Sequence, residues 1–384
     1  MKKLLGIFLA FIIVSQAIAA EDIPVDPKLG ERIEFVRSNR TFPVNLETTI
    51  FQPNAPVGTK FPIVIYNHGK AAGLNFFQNR ARPISIVRTM LARGYIVAVP
   101  NRQGFSNSGG RVVGEGCDIY SNGVAQADDV DATVKWLKTQ PWADTSRIVM
   151  MGQSHGGLTT LAYAMNPDPG VKVFVNFAGG LKWITGGCAW ERNLEKAFED
   201  YGSKTKVSSL WFYGANDSYF PPSVINPAYQ AYANAGGKAK MIAFPAFGAD
   251  AHGMSGSRDG IDIWLPEVLS AMFAQGLPTQ VVYPGYEFKK AFTRPAIVAS
   301  GFASLTDVQA VPYLKESGKK GYELFLSKSN PKAFVIHESG AWTWANGSND
   351  ENEDPNVRAL NNCERRVKAA CKLYAVDSDV VWIK

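Results

Sequence analysis

The stretch Arg147-Ile-Val-Met-Met-Gly-Gln-Ser-His-Gly-Gly157 decides the fold. Its apolar start predicts a buried strand, and residues 158–165 predict a helix that follows at once. A Gly-x-Ser-x-Gly turn between a strand and a helix strains its serine and raises the hydroxyl above the sheet. Ser154 is therefore the candidate nucleophile, and a side chain at Gly152 or Gly156 would collide across the turn. The alternative is an ordinary glycine-rich turn.

Strand-like runs alternate with helix-like segments between residues 61 and 276. Nearly continuous apolar runs are typical of buried parallel strands, and their alternation with helices predicts a parallel α/β sheet. Residues 31–51 offer antiparallel edge strands. The predicted strands are 61–66, 95–99, 147–151, 171–175, 207–212 and 239–243, and the predicted helices are 83–92, 123–139, 158–165, 222–235 and 262–275.

The pattern changes after Gly276. Residues 277–295 are interpreted as a linker, and residues 296–384 as a small α+β module of unknown function. An acidic segment at 348–354 lacks the ordered ligand spacing of a calcium loop, so a solvated loop is favoured. We predict no metal site.

The first residues have the pattern of a signal peptide. A basic start precedes an apolar run at 4–14, and small residues follow at Ala17 and Ala19. We expect residues 1–19 to be removed, with Ala20 as the other possible cut point. The apolar run is shorter than the roughly 20 residues that span a bilayer, so a retained anchor is the less favoured alternative. The domain that follows is predicted to span 20–276, in a secreted or periplasmic protein without stable membrane insertion.

The composition is that of a packed globular protein. Hydrophobic residues make up 46% of the chain and charged residues 19%, with a net charge of +6. Basic residues occur in pairs rather than long blocks, which argues against a nucleic-acid partner. The expected partner is a small-molecule ester, and the sequence leaves the oligomeric state open.

Four cysteines fit an oxidising compartment and allow three pairings. We favour Cys117 with Cys188 and Cys363 with Cys371, each within one domain. On an unbroken helix the last two Cα atoms would lie about 12 Å apart, whereas a disulfide needs roughly 4.4–6.8 Å. That pair therefore requires the helix to end between its cysteines. Free buried thiols are the alternative.

A serine nucleophile needs a base, and the chain has four histidines. His155 lies in the turn itself, with its side chain pointing away from the hydroxyl. His68 ends the first long strand, where an oxyanion loop is expected, and His337 lies in the C-terminal module. His252 follows the last core strand and is the candidate base.

The orienting acid should lie between the serine and the histidine in chain order. Asp217 ends a core strand in a Gly-x-x-Asp loop, which would hold its carboxylate at the carboxyl edge of the sheet. The order Ser154, Asp217, His252 then matches a serine triad. Asp250, two positions before the base, is the alternative acid.

Backbone N–H groups must meet the developing oxyanion. The candidates are the amides of His155 and Lys70, unless His68-Gly69 merely turns the chain. Aromatic residues of the surrounding loops are candidates for an apolar substrate pocket, with core packing as the alternative; they are Phe105, Trp183 and Trp190, together with Phe76, Phe77 and Tyr219.

Four motifs, Asn67-His-Gly69, Gly152-Gln-Ser-His-Gly156, Tyr213-Gly-Ala-Asn-Asp217 and Asp250-Ala-His-Gly253, resemble the dienelactone hydrolase-like branch of the α/β-hydrolases. The resemblance covers roughly residues 45–276. It implies an α/β-hydrolase fold, with an eight-stranded, mostly parallel sheet and the triad on loops above it. The predicted ester cleavage needs no metal or cofactor. Dienelactone hydrolases use a cysteine nucleophile, so Ser154 points to a serine esterase instead.

The sequence thus predicts an exported serine hydrolase that cleaves carboxylic esters through an acyl-enzyme. One alternative is a serine peptidase of the prolyl-oligopeptidase type, which shares the turn around the nucleophile. The other is a non-catalytic, hydrolase-like binding protein.

Overall fold

The computed structural model describes residues 23–71, 78–114, 116–288, 298–328, 330–347 and 354–383. The chain divides into two compact units, Met1–Glu287 and Phe288–Lys384. The predicted signal peptide lies outside the described residues. Within the described ranges, no helix is both long and apolar enough to cross a membrane.

An eight-stranded sheet forms the centre of the first unit, in the order β1-β2-β4-β3-β5-β6-β7-β8. The pairs β1–β2 and β2–β4 are antiparallel, and every later pair is parallel. The edge strands predicted at 31–51 are therefore present. The strands are β1 (Arg32–Arg37), β2 (Asn45–Phe51), β3 (Phe61–Asn67), β4 (Ile96–Pro100), β5 (Ala143–Gln153), β6 (Val171–Phe177), β7 (Ser208–Gly214) and β8 (Lys238–Phe244).

Helices cover both faces of this sheet. Alternate residues of β3 show why, since Ile63 and Ile65 belong to one apolar core and Val64 and Tyr66 to the other. Helices α2 to α5 pack on the first face, and α1 and α6 on the second. The helices are α1 (Ile84–Leu91), α2 (Ile119–Leu137), α3 (His155–Tyr163), α4 (Trp190–Lys204), α5 (Pro222–Asn234) and α6 (Ile261–Ala274). This is the predicted three-layer α/β fold.

Two local features differ from the sequence prediction. Helix α4 was not predicted, because its apolar stripe is short and lies among charged residues; the buried members are Leu194, Ala197, Phe198, Tyr201 and Gly202. The first part of the predicted linker also lies on the first unit. The N–H groups of Val282 and Tyr283 donate to the Ala92 carbonyl, and the Tyr95 hydroxyl donates to the Pro278 carbonyl. Residues 277–287 are therefore part of that unit.

The second unit is a small α+β fold, as predicted. Its four antiparallel strands lie in the order β10-β9-β11-β12. Residues Tyr322 and Phe325 of α7 pack on one face of the sheet, and Ala359 and Cys363 of α8 on the other. The elements are α7 (Glu316–Leu326), β9 (Lys332–Ile336), β10 (Trp342–Asn346), α8 (Pro355–Val367), β11 (Lys372–Val376) and β12 (Asp379–Val380).

Both favoured cysteine pairs are bonded, with Cα atoms 5.6 Å apart for Cys117–Cys188 and 6.2 Å for Cys363–Cys371. Helix α8 ends before Cys371, and Lys368 follows it in the left-handed region, with φ 55°. The helix therefore stops between the two cysteines, as their distance requires. The first disulfide joins the segment before α2 to the loop before α4.

Candidate active site

Ser154 lies between the last residue of β5 and the first residue of α3, with φ 56° and ψ −122°. This backbone conformation costs a non-glycine residue about 1–3 kcal/mol and is typical of functional turns. Hydrogen bonds on both sides hold it in place. The Ser154 N–H donates to the Phe177 carbonyl at 2.9 Å, and its carbonyl accepts from the N–H groups of Gly157, Leu158 and Gly180. The strain is thus maintained by β6 and by the first turn of α3.

The two glycines of the turn are required by close approaches of the backbone. A Cβ atom at Gly152 would overlap the Gly156 carbonyl, which is the predicted collision across the turn. A Cβ atom at Gly156 would instead overlap the carbonyl of Asn67, at the end of β3. The second glycine therefore lets α3 begin directly against the strand that leads into the His68-Gly69-Lys70 loop.

Asp217 and His252 meet beside this turn. Asp217 follows β7, and His252 lies in a short 3-10 turn, Ala251–Gly256, after β8. The Nδ1 atom of His252 lies 3.1 and 3.0 Å from the two carboxylate oxygens of Asp217. The same carboxylate accepts from the N–H groups of Tyr219 and Phe220, at 2.9 and 2.8 Å. A buried carboxylate fixed in this way can orient the imidazole.

The alternative acid, Asp250, holds the backbone rather than the imidazole. Its Oδ1 atom accepts from the N–H groups of Ser218 and His252, at 3.1 and 2.9 Å, and its Oδ2 atom accepts from the Ser218 hydroxyl. Burial works to raise the pKa of Asp250, but the hydrogen bonds from Ser218 and His252 outweigh it and lower that pKa. Asp250 thus stays ionised and ties the loops after β7 and β8 together.

A further hydrogen bond joins the serine turn to the histidine loop. The Nε2 atom of Gln153, the residue before Ser154, donates to the His252 carbonyl at 3.0 Å. The imidazole packs against the rings of Tyr219 and Phe220, with centroids 4.5 and 5.6 Å away. The serine turn, His252 and Asp217 therefore form one connected cluster at the carboxyl edge of the sheet.

The segments that carry the two predicted oxyanion amides lie next to the serine. His155 is the first residue of α3, so its N–H has no acceptor within the helix. Gly69 lies on the other side, where a Cβ atom would come within 3.3 Å of the Ser154 Cβ. Lys70 follows directly in sequence, and the role of its N–H as an oxyanion donor stays a prediction.

The histidines eliminated as bases have structural partners. The Nδ1 atom of His68 lies 2.7 Å from the Gly69 carbonyl, and its Nε2 atom accepts from the Arg102 N–H. The Nε2 atom of His155 lies 2.6 Å from Asn122 Oδ1. Burial first, and then the charge of Arg102, holds the pKa of both histidines well below the ordinary value. Both rings are therefore neutral at physiological pH.

The aromatic candidates divide into a buried ring and rings near the site. Phe105 is fully buried and packs edge-on against His68, so it supports the loop instead of lining an open pocket. Trp183 is half-buried, with the Lys70 ammonium 5.9 Å from its ring centroid. Trp190 packs against Phe220, which in turn contacts His252. Phe76 and Phe77 lie outside the described residues.

Arg102 is a buried charged residue beside the candidate site that the sequence analysis did not single out. It is fully buried directly after β4 and contacts both His68 and His155. Its position directly after a core strand could have indicated it, because Asp217 and His252 also follow core strands.

The strand order, the serine turn after β5, and the positions of Asp217 and His252 after β7 and β8 match the pattern of the α/β-hydrolase fold. The first unit thus has the α/β-hydrolase fold.

Comparisons with known proteins give more specific similarities. Residues 43–209 match the model of the X-Pro dipeptidyl-peptidase (S15) family. Dipeptidyl-peptidase 5 of Porphyromonas gingivalis is 25% identical over 224 residues, which cover 52% of this chain and 32% of that protein. The chain thus spans about a third of the length of this curated relative.

Solved structures are also similar to this chain. An esterase from Pyrococcus furiosus is 16% identical, with a TM-score of 0.48, and the match covers 67% of this chain and 96% of the esterase chain. An acylaminoacyl peptidase from Pyrococcus horikoshii is 18% identical, with a TM-score of 0.47, and the match covers 65% of this chain and 42% of the peptidase chain.

Proposed function

We propose that this protein is an exported serine hydrolase that cleaves carboxylic esters through an acyl-enzyme on Ser154. The observation that carries the proposal is the Asp217–His252 pair, with Nδ1 3.0 Å from the carboxylate, bonded to the strained serine turn through Gln153. The Nδ1–H donates to Asp217, which leaves the Nε2 lone pair free to act as the base.

In the proposed reaction, the Ser154 oxygen attacks the ester carbonyl and its proton passes to His252 Nε2. The tetrahedral oxyanion accepts hydrogen bonds from the amides of His155 and Lys70, and one such donor is worth roughly 10²–10³ in kcat. The C–O bond to the alcohol then breaks, and His252 returns the proton to the leaving oxygen. A water molecule attacks the acyl group by the same route and regenerates Ser154.

A second candidate is a serine peptidase that releases dipeptides from peptide N-termini. The match to the S15 family over residues 43–209 and the similarity to dipeptidyl-peptidase 5 favour it. The same triad would serve both reactions, because amide and ester cleavage share the tetrahedral intermediate. The two candidates therefore differ in the leaving group and in the pocket for the acyl part.

Export is proposed from the sequence of the leader and from the cysteines. All four cysteines are in disulfides, and stable disulfides form in oxidising compartments. Mass spectrometry of the protein recovered from a secreting host tests this: the expected N-terminus is Ala20, with Glu21 if cleavage follows Ala20. A mature chain that begins at Met1 would contradict the proposal.

The catalytic proposal is tested with a fluorophosphonate probe and the Ser154→Ala variant. We expect the wild type to be labelled and to hydrolyse short p-nitrophenyl esters, and the variant to do neither. Ser106→Ala is the matched control, because Ser106 is also a buried serine with positive φ, 50°. Folded Ser154→Ala protein that keeps wild-type turnover would overturn the proposal.

A substrate panel separates the two candidate activities. Ester turnover that exceeds the cleavage of Gly-Pro-p-nitroanilide in kcat/KM supports the esterase, and the reverse order supports the peptidase. Absence of both labelling and turnover would support the non-catalytic binding protein instead.

A further inference from the structure

Arg102 is a fully buried charge that the proposed reaction does not use. It follows β4, and its side chain is held by neutral groups within the described part of the chain. The Nε atom donates to Gln126 Oε1 at 2.9 Å. The Nη2 atom donates to the His68 carbonyl at 2.8 Å and to His155 Nδ1 at 3.2 Å. The Nη1 atom is buried and has no hydrogen-bond partner in the described residues.

These contacts join the two segments that supply the oxyanion amides. The His68 carbonyl lies two residues before the Lys70 amide, in the loop that follows β3. His155 carries the other amide, and its imidazole accepts from the same guanidinium nitrogen. One planar group therefore bonds both sides of the site behind Ser154.

The supporting groups fix the histidines in the form that this arrangement needs. The backbone N–H of Arg102 donates to His68 Nε2 at 3.3 Å, so that ring carries its proton on Nδ1. His155 donates through Nε2 to Asn122, so its Nδ1 lone pair faces the guanidinium. Burial lowers the pKa of Arg102 to about 9, which leaves it a cation at neutral pH.

A structural role alone accounts poorly for this arginine. Burying a charge without an ion-pair partner costs several kcal/mol, and an apolar side chain of similar volume is often more stable in such a position. The nearby carboxylate of Asp129 favours the charged form of Arg102 through space, but its hydrogen bonds come from the Gln103 N–H and the Arg40 side chain. The guanidinium instead bonds Gln126, the His68 carbonyl and the His155 ring.

We propose that Arg102 is a positioning residue that fixes the spacing of the His155 and Lys70 amides around the oxyanion. The inference rests on the proposed acyl transfer at Ser154. Catalytic geometry is sensitive to such spacing, because a shift of about 1 Å can cost on the order of 10² in rate. Loss of Arg102 should therefore lower kcat while substrate binding in the ground state is retained.

The first test compares Arg102→Met and Arg102→Lys with Arg80→Met. Arg80 is another buried arginine, paired with Glu31 and bonded to the carbonyls of Ile23 and Pro24. For Arg102→Met we expect kcat to fall about 100-fold, with KM within about threefold. Arg102→Lys should recover about tenfold of that loss, since an ammonium keeps the charge but not the planar fork. Arg80→Met should lose stability and keep the wild-type kcat.

Inhibitor binding gives a readout that a merely structural role would not change. A trifluoromethyl ketone forms a tetrahedral oxyanion on the serine. Its affinity should fall in each Arg102 variant by the same factor as kcat, because both depend on the oxyanion amides. An equal fall of kcat in Arg80→Met at matched stability, or an unchanged inhibitor affinity in Arg102→Met, would overturn the proposal.

Two further arms keep the outcome unambiguous. If Arg102→Met does not fold, Arg102→Lys decides, and a wild-type kcat in that variant overturns the proposal. If the wild type turns over no ester or peptide, the proposed function fails separately. Amide hydrogen exchange of residues 68–70 and 155 then decides the positioning role in the Ser154→Ala background. Faster exchange at both segments in the Arg102→Lys protein supports it, and unchanged exchange refutes it.

Discussion

Replacing Asp217 by Asn tests how the carboxylate orients the His252 imidazole. Backbone N–H groups fix the orientation of the side chain at position 217, whether it is Asp or Asn. The N–H groups of Tyr219 and Phe220 both donate to Oδ1, so the oxygen of the introduced amide would take that place. Its NH₂ group would then lie where Oδ2 now lies, 3.0 Å from His252 Nδ1. A donor at that point favours the tautomer with the proton on Nε2, which cannot accept the proton of Ser154.

The expected loss follows from this change of tautomer. In a Ser-His-Asp triad, the equivalent substitution lowers kcat by about 10⁴ with the geometry retained. That factor corresponds to about 5.5 kcal/mol in the activation free energy. We expect Asp217→Asn to lose on the order of 10³–10⁴ in kcat for p-nitrophenyl ester hydrolysis, with KM changed less than about threefold.

Asp250→Asn is the matched control, since the two carboxylates lie on neighbouring loops and only Asp217 reaches the imidazole. An amide at position 250 still offers an oxygen to the N–H groups of Ser218 and His252, so we expect a loss of less than about tenfold. Thermal unfolding of both variants shows that they are folded. The reasoning is refuted if Asp217→Asn keeps kcat within tenfold of the wild type, or if Asp250→Asn is the more damaging change.

Three other predictions concern the stability of the fold. In Gly156→Ala, overlap with the Asn67 carbonyl should lower the free energy of unfolding in urea by about 2–3 kcal/mol. Gly253 has open space around it, so Gly253→Ala should lower it by less than about 1 kcal/mol. Equal losses in the two variants would contradict the packing argument. Replacing Cys117 and Cys188 together by Ser removes a cross-link between residues with a sequence separation of 71. By the loss of chain entropy alone, the free energy of unfolding in urea should fall by about 4 kcal/mol. A fall below about 1 kcal/mol would contradict this prediction. Burial lowers the pKa of His68. Below about pH 6.5 the unfolded chain therefore takes up a proton that the folded protein does not. The contribution of His68 to the free energy of unfolding is thus present above that pH and lost in acid. Between pH 7 and 5, the unfolding free energy of the wild type should fall more steeply than that of His68→Gln, by up to about 1.4 kcal/mol per pH unit, and parallel pH profiles would show that His68 does not contribute.

Features that depend on neighbouring residues were accessible from the sequence. The strand, turn and helix around Ser154 lie within some twenty residues, and glycines, a small polar residue and apolar runs are local signals of each part. The acid and the base could be placed because a parallel sheet brings the ends of its strands to one edge. Asp217 and His252 each follow a predicted strand, so proximity required only the correct fold class.

Other features depend on contacts between distant segments. The overlap that excludes a side chain at Gly156 involves β3, which lies far away in sequence. Phe105 was a candidate for a substrate pocket, and its burial against His68 follows from the packing of two loops. The segment 277–287 lies on the first unit because two of its N–H groups donate to the Ala92 carbonyl. The local sequence does not predict this contact.

The sequence by itself determined the class of the fold, the position of the candidate nucleophile on its turn and the order of the candidate triad. These depend on hydrophobic periodicity and on glycine conformations, which are properties of short stretches of chain. The tertiary structure decided which carboxylate faces the imidazole and brought the Arg102 guanidinium to the His68 carbonyl and the His155 ring. Such choices depend on hydrogen-bond directions and burial across segments far apart in the chain, and only the folded backbone brings those groups within bonding distance.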